Sequence, residues 1–210
     1  MELTMREAKQ AMFQQAGIPA DGGDSEAWVD FKLGPVPMPF PNSDARRRAV
    51  KLHDLHHVLT GYRTDILGEF EISAWEIAAG CGRFVVPWYL NLMGLTAGVL
   101  VAPRRTMRAF WRGARSSSLY TTSTPDEVLD LPVTEVARRL TIPTPETSSS
   151  PTFSQVLQLV AAAVGGLVLS LLLLLLILTP VTPVLWAWTY AGYKRDKARR
   201  EVKRLARSIA

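Results

Sequence analysis

The sequence predicts an all-α protein: a compact helical domain followed by a C-terminal hydrophobic membrane helix or helical hairpin. Three observations predict it. Nowhere does apolar and polar alternation run cleanly between hairpin turns, as half-buried strands require. Helix caps and breakers instead punctuate the chain at helical spacing. The twenty residues from Leu159 to Leu178, LVAAAVGGLVLSLLLLLLIL, carry no charge and only Ser170 as a hydrogen-bonding side chain. A helix of that length measures about 30 Å, the thickness of a bilayer's hydrocarbon core.

The opening MELTMREAKQAMFQQAG places charge where a cleavable export signal needs its apolar centre, so no such signal is expected. Ser43-Asp44 opens a helix after Pro41, and Gly61 stops it. Asp65 caps the next, which runs through ILGEFEISAWEIAA to Gly80 and Gly82. The apolar segment from Phe84 to Ala102 has only Asn91 as a strongly polar group, while Pro87, Gly94 and Gly98 weaken it as a helix. It reads as a buried central helix, a wall of an apolar pocket, or a surface that dips into lipid. The basic stretch PRRTMRAFWRGARSS follows. Pro125 and Pro132 mark two short helix starts, each at the first helical position. Residues 143–152 form a Pro/Ser/Thr linker that builds no core. The chain therefore divides into a helical domain at 1–142, the linker at 143–152, a membrane anchor at 153–193 and a basic tail at 194–210.

With 48% apolar residues in 210, one substantial core is expected. The formal charge of +5 resides in the tail. KRDKARREVKRLAR, from Lys194 to Arg207, holds eight Lys or Arg against Asp196 and Glu201, leaving 16 basic and 17 acidic residues elsewhere. A basic face on the domain is thereby excluded, and no nucleic-acid partner is expected. The single Cys81 excludes an intrachain disulfide.

Trp186, Trp188, Tyr190 and Tyr193 suit a membrane interface, where an apolar ring can keep a polar tip wet. The basic tail argues for the cytoplasmic side, which a single span would place opposite the domain. A re-entrant hairpin bent at Pro180 and Pro183 keeps both on one face. The expectation is a domain on the cytoplasmic side of a bacterial inner membrane or its equivalent.

All three histidines fall within LHDLHHVLTGYRTDILGE, at His53, His56 and His57. On a helix of about 3.6 residues per turn, His53 and His57 stack on one face and Asp54 leans toward the same point. His56 turns toward the apolar stripe of Leu52, Leu55 and Leu59. The turn at Thr60–Thr64 lets the chain fold back so that Glu69 faces His57. Glu76, nearly two turns further, stands ready to accept an imidazole N–H. Two histidines and two carboxylates suit zinc, manganese or ferrous iron, and spacing alone does not choose.

HDLHH, eleven residues and Glu69 fit the HDxxH-x11-E signature of the Coq-four family of ubiquinone (coenzyme Q) biosynthesis proteins. The stretch HDLHHVLTGYRTDILGEFEISAWE resembles its bacterial members through most of its length, and the resemblance covers Phe31 to Ile142. It implies a helical fold and a divalent metal on His53, Asp54, His57 and Glu69, zinc first, with iron or manganese as alternatives. It further implies oxidative decarboxylation at C1 of a polyprenylated aromatic precursor, replacing a ring carboxyl with a hydroxyl. The expected partners are that prenylated precursor or another isoprenoid lipid, the membrane, other quinone-biosynthesis proteins and a second copy of the chain. The other expectation is a non-catalytic lipid-binding scaffold that organises quinone-biosynthesis enzymes. No catalytic side chain is assigned.

Overall fold

The computed structural model describes residues 2–33, 35–144 and 151–209. The chain divides into two units, one of Met1–Gly22 with Asp44–Leu171, the other of Gly23–Ser43 with Leu172–Ala210. The fold is all-α, with strand confined to four two-residue segments among the described residues. Residues 145–150 of the expected linker lie outside the described residues.

The first unit begins with α1, Met5–Ala16, closed at its start by a reciprocal capping box between Thr4 and Glu7. Its chain is tied to the far end of the domain by Met5 N to Leu131 O and Val133 N to Leu3 O, at 2.9 and 3.1 Å. Then come α2 (Asp44–Thr60), α3 (Ile66–Ala79), α4 (Val85–Val101) and α5 (Pro103–Gly113). Short helices α6 (Leu119–Thr122), α7 (Pro125–Val128) and α8 (Val133–Arg139) close the unit. α9, Phe153–Ile177, is the long apolar helix.

The expected boundaries of α2, α3 and α4 agree with these spans. Asp65 caps α3 by accepting from Gly68 N at 2.9 Å. Pro87 sits in the first turn of α4, where its missing N–H costs no intrahelical bond. Gly94 and Gly98, which seemed to weaken α4, are its contact points: a methyl on Gly94 would collide with Ser73, and one on Gly98 with Thr106 and Phe70. They let α4 lie close to α3 and α5. Pro125 holds the first position of α7, whereas Pro132 is the residue before α8.

The core centres on Trp75, Ile72, Phe110, Leu52, Leu55 and Leu95, each at most 2% exposed. Each such side chain contributes about 1.5–3 kcal/mol of burial. α4 is buried on one side only. Leu90, Leu100 and Val101 are 57%, 76% and 66% exposed.

α9 is not merely tethered to its unit. Thr96 of α4 donates its hydroxyl to Ala163 O at 3.1 Å, and a methyl on Gly166 would strike the Leu92 carbonyl. Small residues permit that approach, as they do between helices in membranes.

In the second unit, β1 (Trp28–Val29) pairs antiparallel with β4 (Phe40–Pro41), and β2 (Lys32–Leu33) with β3 (Val36–Pro37). α10, Val181–Ile209, is one helix through the aromatic and basic stretches alike. Trp186 donates to Pro37 O at 2.7 Å and stacks on Tyr190, while Trp28 donates to Asp196 at 3.2 Å.

Candidate metal centre

His53 and His57, one turn apart on α2, bring their Nε2 atoms to 3.2 Å. Glu69, in the first turn of α3, places Oε2 at 3.4 Å from His53 Nε2 and Oε1 at 3.4 Å from His57 Nε2. Ligand atoms of these three residues all lie within 4.8 Å of one another.

The other nitrogen of each ring is already committed. His53 Nδ1 lies 3.0 Å from Glu76 Oε1, and His57 Nδ1 lies 3.0 Å from the Tyr62 carbonyl. Both partners only accept, so each Nδ1 donates and each neutral ring turns an Nε2 lone pair inward. Two lone pairs face each other beside a carboxylate. That arrangement calls for a cation: a proton, or a metal. Two ligands on one tetrahedral ion at bonds of about 2.0–2.1 Å sit about 3.3 Å apart, close to the spacing of the two Nε2 atoms. His53, His57 and Glu69 can hold one.

The turn supplies its own logic. Gly61 adopts φ 73°, a left-handed conformation costly for other residues, and this swings Tyr62 O back under His57. Arg112 of α5 fastens the turn by donating to Thr60 O at 2.7 Å and lying 5.3 Å from the Tyr62 ring. At the head of α3, a methyl on Gly68 would collide with Arg63 O, so glycine there lets Glu69 come close.

Behind the site, Glu76 is fully buried and collects four donors. They are His53 Nδ1 at 3.0 Å, His56 Nδ1 at 2.7 Å, the Asn91 amide, and the Tyr120 hydroxyl at 3.3 Å. Burial opposes its charge, but His53 and these donors outweigh burial and hold its carboxyl well below the usual range. The role foreseen for Glu76, accepting an imidazole N–H, is the one it occupies.

His56 takes no part in the inward-facing set. It accepts from Leu119 N at Nε2, 2.9 Å, so its Nδ1 carries the proton given to Glu76. Burial lowers its pKa and it stays neutral.

The Glu69 carboxyl is held at about 2, because hydrogen bonds from His53 and His57 overcome its burial. His53 is raised well above its ordinary value: burial resists, and the charges of Glu76 and Glu69 prevail. Without a metal, a proton therefore occupies the site.

Asp54 does not join the three converging residues. It faces α1, where Lys9 shares its charge and Gly22 lies within contact distance of Oδ2. Burial pushes its carboxyl up to about 6 against the pull of His53, Lys9 and His57. Among the described residues three protein groups converge, and Glu69 is 41% exposed, so one side stays open to a ligand.

One cavity adjoins the centre and a second lies on the far side of Tyr120, a donor to Glu76. One of about 670 Å³ reaches His57 and is walled by Ala8, Ala11 and Met12 of α1 with Tyr62 and Arg63. Another of about 870 Å³ lies along Phe84 to Pro87, at the start of the expected apolar wall, and includes Arg48, Arg83 and Tyr120.

Sequence reasoning missed α1, although Thr4-x-x-Glu7 followed by Gly17 signals a helix with both caps. It also missed the part played by Asn91, whose lone polarity on an apolar helix was the clue. Compared with family models, curated proteins and solved structures, the chain matches none.

Proposed function

We propose that this chain is a membrane-anchored metalloprotein of the Coq-four type, acting in ubiquinone biosynthesis on a polyprenylated aromatic acid. The observation that carries the metal reading is the pair of inward Nε2 lone pairs, 3.2 Å apart, with both Nδ1 atoms committed elsewhere. The Coq-four assignment rests on the HDLHH-x11-Glu69 residues themselves. His53, His57 and Glu69 hold the ion, and Asp54 stands beside it as the remaining group of the signature.

Zinc is the first choice. Two imidazoles and a carboxylate with a position left open are a donor set that catalytic zinc commonly takes. Bound there, a divalent ion supplies Lewis acidity toward a carboxylate, and iron in the same place adds redox capacity.

The protein's own groups do the rest. Glu76 and Tyr62 O fix both imidazoles in the ligating tautomer. Arg63 offers a cation to the ring acid in the cavity beside His57, and the apolar cavity along Phe84 takes part of the prenyl tail. The reaction class is loss of the ring carboxyl as carbon dioxide with gain of a hydroxyl at the same carbon, dioxygen being the two-electron oxidant and water the co-reactant, with hydrogen peroxide as the other product. α9 and α10 keep the domain at the membrane where such a substrate resides, beside other enzymes of the same sequence.

The decisive experiment is elemental analysis of the purified full chain and of His57→Ala, prepared without chelator. Near-stoichiometric metal that disappears in the variant supports the reading, and the element found separates Lewis-acid from redox use. Folded protein with no metal in either sample defeats it and favours the lipid-binding scaffold.

A further inference from the structure

α4 presents a stripe that nothing in its unit covers. Val86, Leu90, Met93, Ala97, Leu100 and Val101 follow helical spacing along one face. Val86, Leu90, Leu100 and Val101 are 43%, 57%, 76% and 66% exposed, and Met93 and Ala97 between them are half-buried. The stripe runs for about 22 Å at 1.5 Å per residue. Soluble proteins seldom expose so continuous an apolar surface without a partner for it.

Both ends of the stripe carry cations. Arg83 precedes α4, and Arg104 and Arg108 follow it on α5, all three exposed and with no carboxylate partner among the described residues. Their neighbour Arg105 differs, being bound to Glu71 at 2.6 Å. Met107 lies exposed between Arg104 and Arg108. An apolar face bounded by unpaired arginines matches the acyl boundary and the anionic headgroups above it.

The neighbour of the stripe is the membrane helix. α9 crosses α4 at Leu92 and Thr96, the positions immediately beside Met93 and Ala97, through the Thr96 hydroxyl bond to Ala163 O and the Gly166 approach. An apolar face next to a membrane helix meets lipid before it meets any soluble protein.

We propose that the outer face of α4 is a second membrane-contact surface, inserted to the acyl boundary, so that the metal-bearing domain is seated on the bilayer and not hung from a linker. The proposal rests on α9 entering a bilayer and is independent of any metal.

Site-directed spin labelling of the full chain in phosphatidylcholine/phosphatidylglycerol nanodiscs tests it. Single cysteines replace Leu90, Leu100, Leu172 on α9, and Asp126 on exposed α7, with buried Cys81 left in place. Oxygen partitions into lipid and a nickel chelate into water, so their collision rates with each label report depth.

The expected result is a positive, lipid-type depth parameter at Leu90 and Leu100, as at Leu172, with a negative one at Asp126. Aqueous values at Leu90 and Leu100 beside a lipid value at Leu172 overturn the proposal and leave the domain tethered. Low collision rates with both probes at Leu90 and Leu100 overturn it in favour of a protein cover such as a second copy. An aqueous Leu172 removes the anchor and this surface together.

Discussion

At the scale of single residues, two carboxylates only seven positions apart separate structure from chemistry. Glu76 is fully buried with four donors aimed at it, whereas Glu69 is 41% exposed on its side chain and faces the ligand position. Glu76→Gln removes the charge and turns an amide N–H toward a set in which only the Tyr120 hydroxyl can also accept, which is expected to cost about 3–5 kcal/mol as a lost buried ionic partner. Thermal unfolding of the metal-free variant reads this as a lowered Tm. Metal affinity should also fall, by about 10–100-fold, as when an acceptor behind a ligating histidine is removed. Glu69→Gln is expected to abolish stoichiometric metal and turnover and to lower the Tm of the metal-free protein by less than Glu76→Gln does, because the Glu69 side chain is 41% exposed and its pairing with the histidines is screened. If Glu69→Gln lowers stability as much as Glu76→Gln, the site ties helices together and is not catalytic. The pH dependence has a definite sign. His53 is raised above its unfolded value, so in the metal-free chain its contribution to stability is complete below the unfolded pKa and fades as pH rises through the folded one. Glu69, depressed to about 2, contributes above its unfolded pKa and loses that contribution only as pH falls toward 2. A metal displaces the His53 proton, so metal affinity should weaken steadily on acidification below neutrality. Titration calorimetry in buffers of different ionisation enthalpy would count the proton released.

At the scale of elements, the site depends on how α2 ends and α3 begins. Gly68→Ala pushes a methyl into Arg63 O and must move either the turn or α3, so Glu69 leaves its place. The expected outcome is a loss of more than about 2 kcal/mol together with loss of metal, the overpacking cost at a site that cannot yield. Asp65→Ala removes the cap, about 1 kcal/mol, together with an exposed ion pair to Arg63 that adds little, and should keep the metal. Denaturant unfolding and metal content of the two variants distinguish them. This junction also shows what the sequence disclosed. Ser43-Asp44, Gly61, Asp65 and Gly80 are punctuation written in local chemistry, and they predicted α2 and α3 nearly to the residue. The i, i+4 histidines and a glutamate eleven residues past HDLHH placed the site for the same reason, since helix phase is local. Asp54 was assigned to the site by helix phase and by the signature alike, but it stands apart from the three converging residues, near Lys9 of α1, a helix whose packing no spacing within α2 reveals. Tyr62 O, the Leu119 N–H and the Tyr120 hydroxyl were equally out of reach, because they arrive through turns and distant segments. Gly94 and Gly98 looked like helix breakers because propensity knows nothing of the neighbour that needs the space.

At the scale of the whole molecule, the question is which side of the membrane each charge occupies. The described span is the 25 residues Phe153–Ile177, long and apolar enough to cross a bilayer. The helix breaks at Thr179-Pro180, where the Thr179 and Thr182 hydroxyls both donate to Leu176 O at 2.7 Å and so satisfy a carbonyl freed by the proline. From Val181 to Tyr193 α10 offers about 20 Å of apolar and aromatic helix, too short to cross a core of about 30 Å, before Lys194 and its basic successors require water. The positive-inside rule predicts the cytoplasmic side for the positive charges of the tail. It predicts the same for Arg83, Arg104 and Arg108 if the face between them rests on lipid. A re-entrant path bent at Pro180 is the expectation that satisfies the rule for both sets. We expect single cysteines at Asp126 and Glu201 to react alike with a membrane-impermeant maleimide: both labelled in inverted inner-membrane vesicles, neither in intact spheroplasts. Labelling of Asp126 and Glu201 on opposite sides would sink the hairpin in favour of a single span, and would leave one of the two basic sets facing the side its charge disfavours.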